Sequence, residues 1–74
     1  MFYWRTKQQL GDALRMKRIE LDFSQEYISL EIAIDRMGLS ALENGRTNPT
    51  LFILLKLSGV LRIKLWRILR EINV

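Results

Sequence analysis

Neither cysteine nor histidine occurs anywhere in the 74 residues, and that double absence narrows what the chain can fold into. A domain of this length lies near the lower limit for a self-sufficient hydrophobic core. Without cysteine there is no disulfide and no thiolate metal site. Without histidine, zinc sites and the commonest general base are excluded as well. Helix packing and oligomerisation remain as sources of stability. The material is present, since 49% of the residues are hydrophobic, too many for a disordered segment. Strands are not indicated, because β-branched residues never alternate cleanly with polar ones.

Helix-start and helix-stop signals divide the chain into five short helices. Thr6 with Gln9 three residues later fits a capping box and opens a helix through about Leu21. Its inward positions are Leu10, Ala13, Leu14, Ile19 and Leu21. Asp22 ends it, because aspartate tolerates the left-handed conformation. Ser24 caps "QEYISLEI", with Ile28 and Ile32 on one face. After the break Ala33-Ile34-Asp35, Asp35 caps "RMGLSALEN", and Gly45 closes that helix. Thr50 caps "LFILLKLSGVL" and a last helix covers "KLWRILREI". No repeat, low-complexity tract or linker appears, so residues 1–74 read as a single all-α domain.

The net charge of +4 favours a polyanionic partner, nucleic acid or an anionic membrane surface. "MFYW" is not the start of a signal peptide. The longest apolar region is interrupted by Lys56, Arg62, Lys64 and Arg67, and each such charge costs roughly 2.5–3.5 kcal/mol near a bilayer centre. A soluble, cytoplasmic protein is expected. The carboxylates Asp12, Glu20, Asp22, Glu26, Glu31 and Asp35 form no convincing acid/base pair. No enzyme activity, cofactor or metal is expected.

Two short helices separated by three or four residues, in a basic domain, are the skeleton of a helix-turn-helix. "KRIELDFSQEYI", "LENGRTNPTL" and "LLKL" together resemble the Cro/Xre-type helix-turn-helix domains of phage repressors and small bacterial regulators. The resemblance covers roughly residues 10–69, with the motif at about 24–44. Ser24-Gln25-Glu26, Leu39, Leu42-Glu43, Gly45 and Asn48-Pro49 fall at the family's spacing. The departures are Ala33 for the usual glycine between the motif helices, Ser29 for the usual alanine at their crossing, and Gly38 inside the recognition helix. Gly38 should cost about 1 kcal/mol relative to alanine.

The resemblance implies a compact five-helix repressor-like fold that binds double-stranded DNA. Gln25, at the first turn of the second helix, takes a position the family uses for a backbone or base contact. In the third helix Leu39 and Leu42 turn inward, leaving Arg36, Met37, Ser40 and Ala41 to face a major groove. Arginine can contact guanine with two hydrogen bonds, and Met37 and Ala41 suit thymine methyls; a phosphate contact stands as the other reading of Arg36. The loop Asn44–Asn48 carries no acid, and Asn44, Arg46, Thr47 and Asn48 offer donors for phosphate oxygens. Arg18 matches the family's basic partner for Glu43, which implies a buried ion pair tying helix 1 to helix 3.

The second half is greasier than one core face needs. Leu51, Leu54, Leu55, Leu57 and Leu61 form an inward stripe, followed by Leu65, Ile68 and Leu69. Phe52, Ile53 and Trp66 then project outward, with Ile63 and Ile72 as extensions, and mark a contact surface. A homodimer through helices 4 and 5, about residues 51–72, would suit a palindromic operator. The expected function is a dimeric, sequence-specific transcription regulator, a repressor reading its operator through the major groove. The alternatives are an antitoxin or protein-interaction module whose apolar helix 4–5 face binds a partner protein, and a membrane-surface peptide.

Overall fold

The computed structural model describes residues 3–72. Within them lie α1 (Tyr3–Glu20), α2 (Gln25–Ile32), α3 (Arg36–Glu43), α4 (Leu51–Val60) and α5 (Leu65–Glu71), and no strand. The all-α, five-helix expectation is met. Two starts use the side chain the sequence offers. Ser24 Oγ accepts from the Tyr27 amide at 3.0 Å, and Thr50 Oγ1 accepts from the Ile53 amide at 3.1 Å. Asp35 also stands at an N-cap, but its side chain makes no capping bond.

The first helix starts earlier than its capping-box signal. Thr6 lies inside α1, which already runs from Tyr3. Nothing in Tyr3-Trp4-Arg5 breaks a helix, and inside one the amides a capping Thr6 would satisfy find carbonyls of the preceding turn. Met1 and Phe2, the first half of "MFYW", lie outside the described residues.

Four helices end the same way. The amide two residues past the last helical turn reaches back to form a 6→1 bond: Phe23 to Arg18, Ile34 to Ser29, Arg46 to Ala41, Ile63 to Ser58, at 2.9–3.1 Å. This Schellman turn needs a left-handed residue just before that amide. Asp22, Ala33, Gly45 and Arg62 take that role with φ of 61°, 54°, 72° and 59°. Only one of the four is glycine. Alanine and arginine adopt this conformation at a cost of roughly 1–2 kcal/mol, which is why Arg62 carries no stop signal that sequence reading detects.

The core is formed by Leu10 and Leu14 of α1, Ile28 and Ile32 of α2, Leu39 and Leu42 of α3, and Leu54, Leu57, Leu61, Ile68 and Ile72 from the second half. Helix α1 packs on α3 and α5, α2 on α3 and α4, and α4 on α5. The face of α4 is rotated from the one expected. Leu51 and Leu55 are 65% and 50% exposed, whereas Ile53 packs against the core. Nearly every α4 position is apolar, so no polar side marked its register. Leu69 is partly exposed, Ile63 partly buried, and Ile72 buried instead of extending a surface. Ile19 of α1 also faces out.

Gly11 sets how closely α1 meets α3. A Cβ built on it falls 2.5 Å from the Leu42 carbonyl oxygen and 2.6 Å from that of Glu43. Both obstacles are backbone, so neither can swing away. Gly38 is different, since its Cβ would rest at 3.6 Å from Ile34 Cγ1 in ordinary contact. Gly11→Ala is expected to lose about 1–3 kcal/mol through overpacking, while Gly38→Ala gains about 1 kcal/mol from helix propensity. Urea denaturation of both variants checks this, and equal midpoints would mean the α1–α3 approach is looser than described.

Candidate nucleic-acid interface

The short helix α3 divides into two faces. Leu39, Leu42 and Glu43 are buried. On the opposite side Arg36 is exposed and Met37 is 79% exposed, which removes Met37 from the core. Ser40 and Ala41 sit at intermediate depth along the same outer side. The crossing with α2 is close because Ser29 is small and buried, its hydroxyl donating to the Gln25 carbonyl at 2.8 Å. Arg36 follows the N-cap Asp35 and forms no ion pair or hydrogen bond with a described residue, so its long basic side chain can reach a phosphate or a base edge.

Glu43 is the most enclosed charged group. Arg18 Nε donates to its Oε2 at 2.7 Å and Arg18 Nη2 donates to its Oε1 at 3.0 Å. Gln25 Nε2 donates to the same Oε1 at 2.9 Å. The third guanidinium nitrogen, Arg18 Nη1, donates to the Phe23 carbonyl at 2.8 Å. The side chains retain only 13% (Arg18) and 2% (Glu43) of their exposure. One carboxylate thus joins α1, the α1–α2 turn, α2 and α3 at the C-terminal end of α3. A two-pronged arginine–carboxylate pair of this kind is both strong and directional.

Gln25 therefore has a partner inside the protein. Its Nε2 carries two hydrogens, and only one is given to Glu43, so a second donor remains at the N-terminus of α2. The loop after α3 is similarly part used. Asn44 Nδ2 donates back to the Ser40 carbonyl at 2.8 Å, while Arg46 and Asn48 are exposed and Thr47 is half-buried. Gly45 brings this loop onto α1: a Cβ there would lie 2.7 Å from Gln8 Cα. Arg36, Met37, Ser40 and Ala41 thus share one helix face, and Arg46 and Asn48 follow at its C-terminal end.

Sequence reading missed Gly11 as part of this support. A glycine inside an otherwise regular helix costs about 1 kcal/mol, and that cost was its only signal. Phe52 and Trp66 are 65% and 54% exposed, whereas Ile53 turns into the core edge and Leu51 and Leu55 take the outer side of α4. Among the described residues no three metal-ligating side chains converge, and no helix is long and apolar enough to cross a membrane.

Residues 14–65 match the model of the helix-turn-helix family. The chain is 37% identical over 68 residues to control protein C.MunI of a Mycoplasma species, covering 90% of this chain and 92% of that protein. The restriction-modification controller protein C.AhdI from Aeromonas hydrophila superimposes with a TM-score of 0.79 at 30% identity, over 82% of this chain and 92% of the other. The clp gene regulator ClgR from Corynebacterium glutamicum gives 0.86 at 24% identity, over 89% of this chain and 70% of the other, a likeness of fold. The hypothetical transcription factor NHTF from Neisseria gives 0.80 at 26% identity, over 86% and 74%.

The Arg18–Glu43 pair is testable by a double-mutant cycle. Arg18→Met or Glu43→Leu alone is expected to cost about 3–5 kcal/mol by stranding a buried charge, and the double variant less than either single change. Denaturant melts measure all three; strictly additive losses below about 1 kcal/mol would describe an exposed pair instead.

Proposed function

The chain belongs to the Cro/Xre-type helix-turn-helix family of DNA-binding transcription regulators, and on that premise we propose that it acts as a homodimeric controller that reads a palindromic operator with α3. The observation that carries this reading is the two-faced α3, anchored by Glu43 beneath and presenting Arg36 and Met37 outward. The likeness to two proteins named as controllers, C.MunI and C.AhdI, favours a role at a restriction–modification locus over a phage or plasmid operator. The proposed mode is repression, by occupying promoter DNA. The chemistry is binding alone, with no catalytic step and no cofactor. The working compartment is the cytoplasm, where the DNA is.

In this reading Arg36 contacts base edges near the N-terminal end of α3, which enters the groove deepest in repressor-like docking. Met37 and Ala41 lie against thymine methyls, and Ser40 donates or accepts at a neighbouring base. Asn44, Arg46, Thr47 and Asn48 flank the phosphate backbone, and the spare Gln25 proton meets a phosphate at the N-terminus of α2. The dimer forms through Phe52 and Trp66, with Leu51 and Leu55 beside Phe52 and Ile53 supporting them from the core edge. Lys56 lies 4.6 Å from the Phe52 ring centroid and Arg67 lies 5.0 Å from that of Trp66, so the patch is apolar with a cationic fringe.

Reading and holding separate experimentally. Arg36→Ala is expected to weaken the preferred site by about 1–3 kcal/mol and relax one base pair of each half-site. Arg46→Ala weakens all sequences alike and flattens the salt dependence by about one unit for each phosphate it no longer neutralises. Gln25→Ala weakens binding with little change of salt slope. Titration of selected and scrambled duplexes checks all three; a uniform loss with Arg36→Ala would make it a phosphate anchor.

The dimer is checked by sedimentation over a wide concentration range. Burial of an aromatic or leucine side chain contributes roughly 1.5–3 kcal/mol, and a symmetric contact counts each twice. A micromolar or tighter dimer is expected after association costs. Phe52→Glu with Trp66→Glu gives a folded monomer that binds single half-sites weakly. A wild-type chain that stays monomeric at high concentration, yet captures another protein through this face, would favour the antitoxin-like reading.

A further inference from the structure

Three contacts define one side of α1. Gly11 lies against the carbonyls of Leu42 and Glu43, Gln8 lies against Gly45, and Arg18 holds Glu43. Positions i, i+4, i+7, i+11 and i+14 share a helix face, so Trp4 and Arg15 belong to the same stripe. The core side of α1, Leu10 and Leu14, is elsewhere on the helix. Passing round α1 from the core to α3 and beyond it, the next positions are Arg15 and Gln8. Leu39 and Leu42 face the core from α3 while Arg36 and Met37 face away from it. The far border of the α1 stripe therefore opens in the same direction as the outer face of α3.

One basic side chain on that border, Arg15, is exposed and unpaired among the described residues, whereas Lys17 pairs with Glu20 and Arg18 with Glu43. The stripe contains no acid. The neighbouring Asp12 borders the groove between α1 and α5 with Ala13, Met16 and Lys17. At the N-terminal end of the stripe Trp4 is 60% exposed, with the Arg5 guanidinium 5.5 Å from its ring centroid.

We propose that Trp4, Gln8 and Arg15 of α1 form a second contact with the sugar–phosphate backbone of the bound duplex, outside the helix-turn-helix. The proposal rests on the DNA-binding reading of α3 and the loop after it. Two features favour DNA over another occupant: the sign of the charge, and continuity with that loop, which Gln8 touches directly. Arg15 supplies a fork of donors matched to phosphate oxygens, and Gln8 and the Trp4 indole N–H supply neutral ones.

The test is a set of salt titrations on a duplex carrying the site selected from random-sequence DNA, and on a scrambled duplex. Arg15→Gln is expected to reduce the slope of log K against log salt by about 0.9 for each protomer bound, about 1.8 for the dimer, which near physiological salt is roughly a thirtyfold loss on both duplexes. Trp4→Ala gives a smaller loss with an unchanged slope, and both variants keep the wild-type melting temperature. If Arg15→Gln keeps the wild-type slope while Arg46→Ala loses its unit, α1 stands off the DNA and the proposal falls with the α3 reading intact. If the wild type binds neither duplex, the α3 reading falls first.

Discussion

A carboxylate with 2% of its side-chain surface left is tolerable only because three donors reach it. Removing an ion from water costs several kcal/mol, and the attraction of its partner offsets this only when the geometry is good and the remaining lone pairs are used. Glu43 meets both conditions by drawing on α1 and α2 at once. Gly11 places the α1 backbone against the Leu42 and Glu43 carbonyls at the same point. The C-terminal end of α3 is consequently held from two sides by groups that cannot shift without stranding a charge or striking backbone. The outer face of the helix, Arg36 and Met37, makes no such tie, and a rigid mount with a free outer face is what the proposed groove recognition requires.

The remaining rigidity comes from how the helices end. Schellman turns at Asp22, Ala33, Gly45 and Arg62 reverse the chain within a few residues. Three of them accept the cost of a left-handed non-glycine residue, and that strain is sustained only while the surrounding packing over-determines it. Ala33 is the most telling, because it joins α2 to α3 and so sets the angle between the two motif helices. Its compensation is the burial on either side: Ile28 and Ile32 before it, Leu39 and Leu42 after it. A small domain has little stability to spare, which makes the apolar outer surface of α4 and α5 energetically relevant. Lys56 over Phe52 and Arg67 over Trp66 shield those rings in the free chain.

The five helices, the caps at Ser24 and Thr50, the left-handed Asp22 and Gly45, and membership of a helix-turn-helix family were all legible in the sequence, because each rests on local chemistry or on short-range spacing. So was the outward turn of Met37, since Leu39 and Leu42 fix the opposite face by helical periodicity. Leu54, Leu57 and Leu61 were legible as core residues, but the rotation of α4 around them was not: with so many apolar positions the pattern offers no phase, and only packing against α2 and α5 turned Ile53 to the core edge and left Leu51 and Leu55 outside. The same held for the start of α1, where a capping signal at Thr6 yielded to an earlier turn. Gly11 and the donation from Gln25 to Glu43 were equally hidden, because both depend on residues 18 or more positions apart meeting in space. Local rules acting over a few residues determined what the elements are. The meeting of surfaces, which no local rule encodes, decided which faces they show and how α3 is held.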